Sequence, residues 1–111
     1  MSAKYDFDMD QGATFNRTLT LKDDTSTVVD LTGNSFAGQI RTSALSGTIA
    51  GTFTFAITNA SGGVFSWKMT ATNTAALPAQ QCVYDVEMTQ ANGDVVRLLE
   101  GFVNIKSNVT R

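Results

Sequence analysis

Apolar and polar residues alternate with a period of two along most of this chain, the signature of strands with one buried and one wet face. Tyr5, Phe7 and Met9 alternate with Asp6, Asp8 and Asp10, and Gln11-Gly12 ends the run. Phe15, Leu19 and Leu21 share the next apolar face, which Arg17 interrupts, and a polar turn at 23–26 follows. Residues 28–31 read as a short extended piece closed by Thr32-Gly33-Asn34. Phe36, Gly38 and Ile40 alternate with Ala37, Gln39 and Arg41, ahead of a small, polar stretch at 42–51 that reads as a loop or a weak edge strand.

The second half repeats the pattern. Phe53, Phe55 and Ile57 alternate with Thr residues, and a turn at 59–63 leads to Phe65, Trp67 and Met69 on one face. Residues 72–77 are the one helix-like piece, with Thr72 as its cap and Pro78 as its stop. Cys82, Tyr84, Val86 and Met88 alternate with Val83, Asp85 and Glu87. Asn92-Gly93 predicts a hairpin into a long last strand over 95–105, where Gly101 marks a bulge or a close contact. The reading is about seven to eight short strands at regular spacing, with no helices to cross between parallel neighbours. It predicts one all-β domain over residues 1–111, an immunoglobulin-like antiparallel β-sandwich with Trp67 and the phenylalanines between its sheets. Every aromatic except Phe102 is assigned to the core.

Composition narrows the function more than the fold. Charged residues make up only 16% of the chain, and the net charge is −2 with its eight Lys and Arg scattered singly. A nucleic-acid site needs clustered cations to displace counterions, so nucleic acid is not expected as a partner. No run approaches the ~18 apolar residues of a membrane helix, and the N-terminus lacks the basic and apolar regions of a secretory signal. Synthesis and folding in a cytoplasm are expected. Cys82 stands alone in a strand, which suits a small buried hydrophobe better than a reactive thiol.

Candidate chemistry is sparse. The chain has no His, which removes Ser-His-Asp and Cys-His catalysis and the commonest zinc ligand. Asp6-x-Asp8-x-Asp10 opens like a calcium loop. The sixth and twelfth places, however, hold Gln11 and Arg17 instead of Gly and Glu, and an acidic strand edge is the better reading. Asp85 and Glu87 share a strand face, with Glu100 on the paired strand and Arg97 also on the outer face, which suits a solvated surface better than a glycosidase pair. Gly62-Gly63 opens onto a strand, not onto a helix that could cradle phosphate. Three glycosylation sequons begin at Asn16, Asn59 and Asn108 and carry no weight without a signal sequence. The expectation is a protein that is not an enzyme, with no catalytic residue, metal site, cofactor or small-molecule substrate.

Several short strings in one order carry a resemblance. They are Gln11-Gly12-Ala13-Thr14-Phe15 with Leu19, Leu21 and Lys22, then Val29-Asp30-Leu31-Thr32-Gly33, then Gln39-Ile40-Arg41. Thr74-Ala75-Ala76-Leu77-Pro78, Tyr84-Asp85-Val86-Glu87, Arg97-Leu98-Leu99-Glu100-Gly101 and Val109-Thr110-Arg111 continue the series. The chain thereby resembles small bacteriophage virion proteins, in particular the immunoglobulin-like N-terminal modules of baseplate upper proteins and related short tail proteins. The resemblance implies a structural part of a virion, in tail or baseplate, packed against other virion proteins in many symmetric copies. A capsid decoration protein is the neighbouring alternative, and a receptor- or carbohydrate-binding module on the virion surface is one of a different class. Contacts are expected through Tyr5, Asp6, Asp8 and Asp10 and through Thr42, Ser43, Leu45 and Ile49. The two chain ends, 1–4 and 107–111, are expected to order on neighbouring subunits.

Overall fold

The computed structural model describes residues 3–23, 25–43 and 48–107. The chain forms β1 (Ala3–Lys4), β2 (Phe7–Asp10), β3 (Phe15–Thr20), β4 (Ser35–Arg41), β5 (Ile49–Thr52), β6 (Thr54–Asn59) and β7 (Val64–Met69). A one-turn helix, α1 (Ala71–Ala75), leads to β8 (Gln81–Thr89) and β9 (Val95–Lys106). One sheet runs β1-β9-β8-β4-β5 with β2 also on β9, and the other runs β3-β7-β6. The all-β sandwich expected from the alternation is therefore the fold.

Its pairing departs from the expectation at one edge. β1 and β2 lie parallel to β9, with Ala3 beside Leu99 and Phe7 beside Val103. Parallel neighbours need a long crossover, and here the rest of the sandwich supplies it. All the other strand pairs are antiparallel. The β8–β9 turn forms at Asn92-Gly93 as read. Gly93 has a φ of +94°, a conformation open to glycine, and Gln90 N donates to the Asp94 carbonyl at 2.7 Å.

Three local readings change. Residues 28–31 form no strand beyond an isolated bridge from Val28 to Lys22. The Asp30 carboxylate takes the Thr32 amide and hydroxyl at 2.9 and 2.7 Å, and this local turn outcompetes a ladder. Leu31 is then carried into the core as a fully buried plug. The helix starts two residues earlier than read: Thr70, not Thr72, is the cap, its hydroxyl accepting from the Asn73 amide. Within 42–51, Ile49 joins an edge strand against Arg41, as the second of the two readings allowed.

The core lies between the sheets in two adjoining clusters. In the larger one Trp67, wholly buried, has Phe7, Phe15, Phe53 and Tyr84 around it at centroid distances of 5.5, 5.2, 4.8 and 5.7 Å. Edge-on and tilted rings at such distances add about 0.5–1.5 kcal/mol per pair beyond the area they bury. The smaller cluster is built on Leu31, Phe65 and Met88, with Phe36 stacked on Phe65 at 4.3 Å. Trp67 Nε1 is buried without a hydrogen-bond partner among the described residues, an unmade bond worth about 1–3 kcal/mol. Tyr5 is an exception to the core assignment, because it lies 43% exposed on the rim.

Candidate interaction surface

The surface begins where the N-terminal strand, running parallel beside β9, crosses close over Gly101 at Tyr5 and Asp6. The register of β1 against β9 continues unchanged into β2, yet the strand is interrupted at Tyr5 and Asp6. Tyr5 N donates to the Glu100 carbonyl at 3.0 Å, which keeps the chain on the sheet. Its own carbonyl turns away and accepts from the Tyr84 hydroxyl. Asp6 then does with its side chain what the backbone has ceased to do: Oδ1 accepts the Phe102 amide at 2.9 Å. A charged acceptor makes a stronger bond than the carbonyl it replaces.

Gly101 makes the crossing possible. A Cβ at that position would stand 2.6 Å from both the Tyr5 carbonyl oxygen and Asp6 Oδ1. The close contact anticipated for this glycine is thus with the N-terminal strand. Burial raises the Tyr84 phenol well above its ordinary range, and the neighbouring Tyr5 and Asp6 add to the rise. The hydroxyl therefore stays a donor to Tyr5 at every physiological pH.

Outward from this crossing, β4, β8 and β9 present one continuous face. Strand register puts Arg41, Val83 and Phe102 in one row, and Gln39, Asp85 and Glu100 in the next. Together with Lys4 and Asp6 they enclose a depression of about 570 Å³. Its floor is apolar: Phe102 stands 46% exposed beside Val83. Its rim is charged in both signs. Asp85 and Glu100 lie directly opposite, an unfavourable pairing that Arg97 offsets by reaching both, at 3.5 and 3.4 Å. The reach depends on a register shift in the β8–β9 ladder between Val86 and Glu87. All three side chains are about a third or more exposed, so these pairs add little stability and chiefly fix where charge sits. An Arg laid across both carboxylates is an ion-pair cluster, not two acids facing across a cleft.

The residues expected to form contacts fall into two separate places. Tyr5 and Asp6 sit at the crossing, and Asp8 and Asp10 follow on β2. Asp8 is held below the usual carboxylate range by the Asn104 amide at 3.2 Å and by Lys106 at 3.3 Å. Thr42 and Ser43 lie exposed after β4, Ile49 opens β5 at 45% exposure, and Leu45 lies outside the described residues. These two groups occupy opposite edges of one sheet, about 19 Å apart by four strand spacings, and do not make one patch. Of the chain ends, residues 1–2 and 108–111 lie outside the described residues. The depression itself escaped the sequence reading apart from Asp6, although Phe102 had already stood out as the aromatic on the wrong face.

Cys82 is buried, its thiol pushed up by desolvation, as expected of an inert core cysteine. Among the described residues no group of three or more Cys, Asp or Glu side chains is placed to hold a metal ion, and no helix is long and apolar enough to cross a membrane. Compared with known proteins, the chain matches no family model and no curated protein.

Proposed function

We propose that this protein is a structural, non-enzymatic component of a bacteriophage virion, an adaptor in tail or baseplate that acts by protein–protein contact. The observation that carries the reading is the outer-face depression, with an apolar floor of Phe102 and Val83 inside a rim of both signs of charge. That is the anatomy of a protein interface: a dry centre, a polar border, and charges that choose the partner. Two further points support it. The strand order β2-β9-β8-β4-β5 over β3-β7-β6 fits an immunoglobulin-type sandwich, the fold that the resemblance implies. Asp6, expected as a contact, lines the depression, while Tyr5 precedes it in the chain and Thr42, Ser43, Leu45 and Ile49 stand as a second contact region in the proposal. With many symmetric copies, each contact need only be modest for the assembly to hold.

Phe102, 46% exposed on the outer face, favours one other reading, a module that stacks an aromatic on receptor sugars. Cryo-electron microscopy of intact virions, with this fold placed in the density, tests both. Ordered copies in a tail or baseplate ring with Phe102 at a contact support the adaptor. Copies over the capsid lattice make it a decoration protein. Phe102 facing solvent on a fibre tip favours receptor binding, and absence from the particle refutes a virion role.

A further inference from the structure

On the outer face of β9, β8 and β4 one row of side chains is complementary to its own reverse. Across the strands it runs Asp6, Phe102, Val83, Arg41, with an acid at one end, a base at the other and two apolar side chains between. Three strand spacings, about 14 Å, keep Asp6 and Arg41 from meeting within one molecule. A second copy laid face to face, turned about a two-fold axis along the strands between β8 and β9, sets the row on its reverse. Phe102 then stands over Val83 of the other copy, and Asp6 over its Arg41. Each contact occurs twice.

The neighbouring rows follow the same axis. Asn104 and Gln81, directly opposite in the β8–β9 ladder, meet as amides. Arg97 stands opposite Glu87 in that ladder but reaches Asp85 and Glu100 instead, so among the described residues Glu87 has no ion pair. Reversal places Arg97 of each copy over Glu87 of the other. The row of Lys4, Glu100, Asp85 and Gln39 is the one unfavourable meeting, since Glu100 comes to face Asp85. Its carboxylates are matched in number by Arg97 and Lys4 of the two copies, and among the described residues Lys4 has no ion pair within the chain. The rim as a whole is neutral, Lys4, Arg41 and Arg97 against Asp6, Asp85 and Glu100. A partner of strong net charge gains nothing there, whereas a copy of the same face finds acid on base at both ends of the central row.

We infer that the occupant of the outer-face depression is a second copy of this chain, docked sheet on sheet about this axis. The inference rests on the reading of the depression as a protein interface and names its partner. The face measures about 19 Å across four strand spacings and about 20 Å along six residues, near 400 Å² in plan, against the ~800 Å² that a standard interface takes from each partner. The dimer is therefore weak by itself and is reinforced by the many copies of an assembly.

Sedimentation equilibrium of the full chain between about 10 µM and 1 mM should show monomer passing to dimer, as a face of this size implies. Phe102→Asp should weaken the dimer at least roughly tenfold. Two charge reversals test the axis itself. Asp6→Lys alone and Arg41→Glu alone should each weaken the dimer at least roughly tenfold, since each sets like charges together twice. An equimolar mixture of the two variants should return to the wild-type range, because the mixed pair again has opposite charges at both ends. If Asp6→Lys does not fold, the concentration-dependent amide shifts of the ¹⁵N-labelled wild type decide, and must lie in residues 39–41, 83–87 and 97–102. The inference is overturned by a wild type that stays monomeric at about 1 mM, or by a dimer that Phe102→Asp leaves unchanged. A mixture no tighter than its components, or shifts confined to β3, β6 and β7, overturns it equally. None of these outcomes touches the adaptor reading, which the position of the protein in the virion decides.

Discussion

Replacing Gly101 with Ala tests the strand crossing most directly. The added Cβ would lie 2.6 Å from the Tyr5 carbonyl oxygen and from Asp6 Oδ1, and 3.0 Å from the Tyr5 carbonyl carbon. Two of those atoms are backbone, so a rotamer change cannot relieve the contact and the N-terminal strand must lift. Overpacking of this kind costs about 1–3 kcal/mol. Lifting also stretches the Asp6–Phe102 bond at 2.9 Å and the Tyr84–Tyr5 bond, each worth about 1 kcal/mol net. The expected loss is about 3–5 kcal/mol. At about 2 cal/mol/K per residue of unfolding entropy, that lowers Tm by roughly 13–22 °C in a chain of this size. Differential scanning calorimetry of wild type, Gly101→Ala, Asp6→Ala and the double variant reads both the magnitude and the coupling. Because the two changes break the same Asp6–Phe102 bond, the double variant should lose less than the sum of the singles. A Gly101→Ala protein melting within 2 °C of wild type, or strict additivity, would refute the account of the crossing.

Other expectations follow from the core and the charges. Trp67→Ala should cost about 3–5 kcal/mol, read as a fall in the urea midpoint at unchanged slope; a wild-type midpoint would mean Trp67 is not packed against four rings. Tyr84 has a folded pKa raised above its unfolded value, so its contribution is complete below about pH 10 and is lost as pH rises toward the folded value. Wild type should therefore lose stability above pH 10 more steeply than Tyr84→Phe, and parallel alkaline melting curves would contradict this. Asp6, Asp8 and Asp10 changed together to Asn should leave the chain folded, since an Asn at 6 still offers an oxygen to the Phe102 amide. Millimolar calcium should not raise the melting temperature of either form; a calcium-dependent rise in wild type alone would replace the acidic-edge reading with an ion site.

What the sequence determined by itself is whatever depends on period and local turn chemistry. Alternation at 36–41, 53–57, 65–69 and 82–88 was enough to assign the inward faces, because strand side chains change sides at every residue. Asn92-Gly93 was enough for the hairpin, because few other pairs tolerate its backbone angles. Where a side chain could satisfy the backbone locally, periodicity misled: Asp30 made a turn of what read as a strand, and Thr70 capped ahead of Thr72. Only tertiary structure decided the rest. Tyr5 read as an ordinary member of an inward face, and Phe102 as the one aromatic on an outward face. What brings them together is a parallel pairing across almost the whole chain, in which Asp6 reaches Phe102 and Gly101 lets the strands approach closely. The depression on the outer face is likewise a product of register between distant strands. Period says which face a residue takes, and only pairing says which neighbours stand beside it there.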